Sequence, residues 1–164
     1  MINGAHHVAL ATADMDRLLA FYCGLLGLPL MSDGRIEPGE SPEFETVVGL
    51  ASTRVRVAQL GVGNLRIEMF EYAEPAPKKG EAKLACDVGI RHIAFDVTGI
   101  DEAYERLKAA GVEFISAPQS IGNYGVRSAY LRDPDGNIIE LQEISPGSLV
   151  DKSHITGIGR SKQE

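Results

Sequence analysis

GAHHVAL at residues 4–10 and GIRHIAF at residues 89–95 write nearly the same strand twice, each with a histidine ahead of a short apolar run. His7, Ala9 and Asp16 match His92, Ala94 and Asp101 at an offset of 85. A second echo follows downstream: IEMFE at 67–71 against IELQE at 139–143, at an offset of 72. Each of these follows a Gly-Asn pair, Gly63-Asn64 and Gly136-Asn137, a strong hairpin signal. The offsets differ because His7 to Glu68 spans 61 positions and His92 to Glu140 spans 48, so the first half carries 13 more residues. The surplus falls in DGRIEPGESPEFETVVGL, residues 33–50, read as a loop with a short helix near 42–49.

Both halves obey one grammar. Residues 6–12 read as a strand, after which Asp14 or Asp16 caps a helix running to about Gly24, with Leu18, Leu19, Phe21 and Tyr22 on its apolar side. GLLGLPLM then ends the helix at glycine and enters a strand at 28–31. In the second half, 92–98 is a strand, Asp101 begins a helix with Ala103, Tyr104, Leu107 and Ala110 on one side, and AAGVEFI turns at Gly111 into another strand. The remaining strands fall at 53–60 and 126–131. Each half therefore reads strand, helix, strand, strand, strand, and the fold class is α+β. Module one spans 4–72 and module two 89–144, joined by a Pro-, Lys- and Glu-rich linker at 73–88. After Ile144 the pattern stops, and 145–164 reads as an extended tail that packs on a partner subunit.

With 164 residues the chain is one domain, or two half-domains that do not fold apart. Such a length needs neither disulfide nor metal to build a core. A net charge of −7 with scattered Lys and Arg argues against nucleic acid, since only Lys78-Lys79 adjoin. Apolar runs fall well short of the ~20 residues of a membrane span, so no membrane partner is expected. Cys23 and Cys86 form no CxxC pair, the N-terminus does not read as a signal peptide, and a cytoplasmic, reduced protein is the simplest reading. Cys23 reads as a packing residue.

Strand side chains alternate faces. His7 shares a face with Ala9, away from Val8 and Leu10; His92 shares one with Ala94, away from Ile93 and Phe95. Glu68 and Glu140 likewise point away from Ile67 and Met69, and from Ile139 and Leu141. Two half-sheets related by a pseudo-twofold would enclose a cleft lined by His7, Glu68, His92 and Glu140. Two neutral imidazoles and two carboxylates balance a divalent ion, and the mixed nitrogen and oxygen set suits Zn, Ni, Co, Mn or Fe. On the residues alone the alternative stands level with this: structural strand histidines and solvated strand glutamates.

Taken together, HHVALATADMDRLLAFYCGLLGLPL, LRIEMFEY, GIRHIAFDVTGIDEAYERLKAAGV and YLRDPDGNIIELQE make residues 4–144 resemble the vicinal oxygen chelate superfamily of glyoxalases, epimerases, extradiol dioxygenases and antibiotic resistance proteins. The resemblance implies tandem βαβββ modules curled into an eight-stranded open cup around one divalent metal, often in a homodimer. It puts the ligand positions on His7, Glu68, His92 and Glu140. A carboxylate at position 68 is similar to the glyoxalase and epimerase branch, in which a small carbonyl or thioester substrate joins the metal. That branch implies an isomerase, epimerase or lyase that stabilises an enolate. Glu140 is then the first candidate for the general base and Glu68 the second.

Two alternatives accompany this reading. An Fe(II) extradiol dioxygenase would use His7, His92 and Glu140 alone, and a non-catalytic antibiotic-binding resistance protein would only sequester a ligand. Methylmalonyl-CoA epimerases resemble a two-base design with a second glutamate on the strand before Glu68. Here that strand offers Arg54, Arg56 and Gln59 but no acid, and Glu43 and Glu45 of the insertion are read as facing solvent. Arg127 and Tyr124 are candidates for holding a substrate anion, with a solvent-facing role for Arg127 the equal alternative. Arg66, on Glu68's face, is a better electrostatic candidate. His6 reads as packed under the helix or at its edge, His154 lies in the tail, and GIGRS at 157–161 is too short for a nucleotide loop.

Overall fold

The computed structural model describes Ile2 and residues 4–78, 80–148 and 150–151. The expectations placed on Lys79, on His154 and GIGRS, and on most of the tail lie outside the described residues. The chain divides into two units, Met1–Glu81 and Ala82–Glu164.

The first unit runs β1 (His7–Thr12), α1 (Met15–Leu19), a π-helix (Ala20–Leu25), β2 (Leu30–Ile36), α2 (Pro42–Val48), β3 (Arg54–Val62) and β4 (Leu65–Glu74). Its sheet has the order β1-β4-β3-β2, with β1 and β4 parallel and the other pairs antiparallel. The second unit runs β5 (His92–Asp96), α3 (Ile100–Ala109), β6 (Gln119–Ser120), β7 (Val126–Arg132) and β8 (Ile138–Ile144). Its order, β5-β8-β7-β6, repeats the first, again with a parallel outer pair. This is the tandem βαβββ architecture of the α+β class.

Each sheet buries one face under its helix. In the first unit Met15, Leu18 and Tyr22 are fully buried together with Ala58, Leu60, Ile67 and Met69. In the second, Ile100 and Leu107 are sealed with Ala129, Leu131, Ile139 and Leu141. Each large aliphatic side chain so buried contributes about 1.5–3 kcal/mol. The other face of each sheet carries the polar residues of the repeat, together with apolar ones such as Val55 and Ile138.

Local chemistry sets the ends of the elements. Asp14 caps α1, its Oδ1 accepting the Arg17 N–H at 3.0 Å. Asp101 lies inside the first turn of α3, and its carboxylate binds Arg127 instead of capping. The first helix ends at Gly27 (φ 76°) and α3 at Gly111 (φ 86°), both in the left-handed region that glycine enters without steric cost. Eleven positions separate Asp16 from Gly27 and ten separate Asp101 from Gly111. The additional residue is absorbed as the π-helix, in which the Leu26 N–H reaches back to the Phe21 carbonyl at 3.0 Å.

The insertion departs from expectation at one end. Residues 32–36 continue β2 as an exposed edge strand paired to β3, from Ser32 opposite Gln59 to Ile36 opposite Val55. Backbone pairing supplies the order there. In the second unit the expected strand after Gly111 is reduced to a bridge between Phe114 and Leu131, followed by the two residues of β6. Among the described residues no helix is long and apolar enough to cross a membrane.

Candidate functional site

Register brings each histidine to its glutamate. In the first unit Ala9 lies opposite Glu68 and His7 opposite Arg66; in the second, Ala94 lies opposite Glu140 and His92 opposite Ile138. The histidine thus stands one same-face step before the glutamate on the parallel neighbour in both units. His7 Nε2 lies 3.6 Å from Glu68 Oε2, and His92 Nε2 lies 3.2 Å from Glu140 Oε2. The histidines are about two-fifths exposed, with side-chain values of 44% and 39%; the glutamates, at 19% and 12%, are largely covered.

The second oxygen of each carboxylate is held. Gln59 Nε2 donates to Glu68 Oε1 at 3.0 Å, and Arg66 Nη1 donates to Gln59 Oε1 at 3.2 Å. Since guanidinium only donates, Arg66 fixes which way the Gln59 amide points. In the second unit the Ser128 hydroxyl donates to Glu140 Oε1 at 2.6 Å. The outer nitrogen of each imidazole also has a neighbour. His6 and His7 share a hydrogen bond between their Nδ1 atoms at 2.9 Å, and the Tyr130 hydroxyl stands 3.5 Å from His92 Nδ1. Such contacts orient the ring and set which nitrogen faces outward. His6 is therefore an exposed companion of His7; of the two expected positions, under the helix or at its edge, the buried one does not apply. Burial first, then the nearby carboxylates Glu68 and Glu140, push the Tyr72 and Tyr130 hydroxyls above the ordinary tyrosine range.

Among the described residues no three or more His, Cys, Asp or Glu side chains gather as a metal shell. Each unit holds one His–Glu pair. Two ligands of one ion, each about 2.1 Å from it, stand roughly 3.0–3.4 Å apart in octahedral or tetrahedral arrangements. The His92–Glu140 separation of 3.2 Å lies in that range and the His7–Glu68 separation of 3.6 Å lies just above it; the charge of the carboxylates and the imidazole donors suit a divalent cation.

The other candidates separate. Arg66 shares the Glu68 face. Arg127 lies on the helix side of its sheet, bound by Nη1 and Nη2 to Asp101 at 2.6 and 2.8 Å, with Glu143 at 3.9 Å. The first unit has the same latch: Arg56 binds Asp16 at 2.7 Å and Asp33 at 2.7 Å. The repeated Asp16 and Asp101 are thus explained as ion-pair partners. Tyr124 is about half exposed, in the turn before β7. Glu45 faces inward, where its Oε1 accepts the Thr53 N–H at 2.9 Å and the Gly39 N–H at 3.4 Å, whereas Glu43 is exposed.

Sequence reasoning missed Ser128 and Tyr130, and noted Gln59 only for not being an acid. The available signal was alternation counted back from the hairpins, which sets Gln59 opposite Glu68 and Tyr130 opposite Glu140.

The family comparison agrees with this architecture. The model of the Glyoxalase/Bleomycin resistance protein/Dioxygenase superfamily matches residues 4–141, and the chain belongs to that superfamily. It is 30% identical to the uncharacterized protein YaeR of Escherichia coli K12, over 87% of this chain and 97% of YaeR. It is 28% identical to the ethylmalonyl-CoA/methylmalonyl-CoA epimerase of Cereibacter sphaeroides, over 88% of this chain and 100% of that protein. Among solved structures, a glyoxalase family protein from Bacillus cereus superposes with a TM-score of 0.78 at 26% identity, covering 88% of this chain and 97% of that one.

Proposed function

We propose that this protein is a metal-dependent isomerase, epimerase or lyase that moves a proton next to a carbonyl or thioester. The observation that carries the reading is the duplicated pair. In each unit a glutamate has Oε1 held by a neighbour and Oε2 turned to an imidazole Nε2, at 3.6 and 3.2 Å. The superfamily membership and the epimerase relative support it.

His7, Glu68, His92 and Glu140 would hold one divalent ion, which when bound supplies Lewis-acid stabilisation of negative charge on a substrate oxygen. Glu140 is the first residue proposed to carry the proton and Glu68 the second. The hydroxyl of Ser128 can donate to a carboxylate or accept from a carboxylic acid, and so accompanies Glu140 through a proton transfer. Gln59, turned by Arg66, presents a donor to Glu68 Oε1 and so fixes how that carboxylate lies. Arg66, adjacent to this pair, would bind a substrate anion. The geometry gives Arg127 a structural partner, so it takes no part in this proposal. The dioxygenase alternative leaves Glu68 without a role, although that side chain, like Glu140, has one oxygen held by a neighbour and the other turned to a histidine.

Purified protein titrated with Zn, Ni, Co, Mn and Fe salts tests the site. One ion per chain, lost in both His7→Ala and His92→Ala, is expected; independent weak sites or none would overturn it and favour a ligand-sequestering protein. Incubating the loaded protein in D₂O with a panel of thioesters and 2-oxygenated carbonyl compounds should place deuterium beside the carbonyl. Glu140→Gln should slow that exchange about 10²- to 10⁴-fold. Oxygen consumption in place of exchange would favour the dioxygenase.

A further inference from the structure

The two units differ most on the face that carries the glutamates. Successive same-face residues of β4 are Arg66, Glu68, Phe70 and Tyr72, spaced about 7 Å apart along the strand. The repeat puts Ile138, Glu140, Gln142 and Ile144 at the matching positions of β8. Along its own strand, therefore, a cation and two aromatic rings flank Glu68, whereas the ring near Glu140 is Tyr130 of the neighbouring β7.

The aromatic residues form a run. The Phe70 and Tyr72 rings lie 5.8 Å apart at 19°, and Phe44 of α2 lies 6.2 Å from Phe70 at 25°. All three are half-buried, and they stand on the face opposite the sealed core of Leu60, Ile67 and Met69. Phe44 brings α2 against them and Val55, opposite Tyr72, is buried there, while the three rings themselves stay partly exposed. At the other end, Arg66 spends one N–H on Gln59 and retains the remaining donors of its planar fork for a carboxylate.

We propose that the first unit selects its substrate by polarity along β4. The substrate class is a carbonyl or 2-hydroxy compound with a carboxylate at one end, held by Arg66, and a flat apolar arm at the other, laid against Phe70 and Tyr72. The reacting carbon then falls beside Glu68, between the two anchors. This assignment rests on the proton-transfer reading for the location of the reacting carbon, but its binding signature is separate from metal loading.

Calorimetric titration with three probes tests it: 4-phenyl-2-hydroxybutanoate, lactate, and 4-phenylbutan-2-ol. The first carries both ends, the second lacks the arm and the third lacks the carboxylate. The expected result is that the first binds about tenfold or more tighter than either of the others. Phe70→Leu and Tyr72→Leu, which keep apolar volume, should remove the advantage over lactate and leave lactate affinity unchanged. Arg66→Met should remove the advantage over the alcohol. Equal affinity for the three probes, no binding of the first, or an advantage unmoved by these variants would overturn the proposal. Metal stoichiometry is measured on the same samples. Loss of metal binding with the probe ranking intact would sink the proton-transfer reading alone, and stoichiometric metal without the ranking would sink this one alone.

Discussion

The two units share a strand order, a histidine-to-glutamate register and an aspartate–arginine latch, yet they support their glutamates by different chemistry. Glu68 is reached through an amide backed by a guanidinium, whereas Glu140 receives a lone hydroxyl. The first unit also carries a π-helix, a long β2 and the added helix α2, and the second a plain α-helix and a two-residue β6. The layout that holds sheet to helix is repeated. Apart from the π-helix and the second aspartate on Arg56, what differs lies on the opposite face or in the connections, where a duplicated scaffold is free to diverge without loss of its core.

Paired substitutions probe that division. Leu60 and Leu131 occupy matching positions of β3 and β7, and both are fully buried. Leu60→Ala and Leu131→Ala should each cost about 2–5 kcal/mol in urea unfolding. A small loss at one of them would break the equivalence of the two cores.

The latches should show a graded effect. Arg56 binds two aspartates with its side chain 17% exposed, and Arg127 binds Asp101 with its side chain 38% exposed. Arg56→Met should cost about 1 kcal/mol, as for an exposed but networked ion pair, and Arg127→Met should shift the urea midpoint less. The reverse order would show that Arg127 supports more than its own helix.

The smallest effect belongs to a contact found only in the first unit. The Thr53 backbone N–H, foremost, holds the Glu45 carboxyl below the usual carboxylate range. Its folded pKa is depressed, so the contact contributes fully above the unfolded value and is lost as pH falls through the folded one. Protection of the Thr53 amide, taken against its intrinsic exchange rate, should fall across that acid range and be already low at neutral pH in Glu45→Gln. Exchange at the second unit's Ser128 amide should not follow.

Much of this was legible beforehand. Alternation in HHVALAT and IEMFE, and in their echoes, put His7, Glu68, His92 and Glu140 on faces away from the core, because a strand repeats every two residues. Arg127 was left open between a substrate anion and solvent for a related reason: it neighbours Ser128, and assigning its face required the register of β7 against β8, in which Arg127 pairs with Glu143 and Tyr130 with Glu140. SDGRI was read as loop since an exposed edge strand carries no apolar alternation, and its order comes from hydrogen bonds to β3.

Local rules were sufficient for the repeat, the helix-ending glycines, the Gly63-Asn64 hairpin and the chemistry of the four polar strand residues. They rest on neighbours a few positions apart, whose preferences a linear pattern records. Which group holds each carboxylate, where Asp16 and Asp101 spend their charge, and which arginine stands beside a glutamate needed the folded chain. The groups that hold the carboxylates and the arginines that meet the aspartates lie 9 to 40 positions from their partners in sequence, and only strand pairing and helix packing bring them within hydrogen-bonding distance.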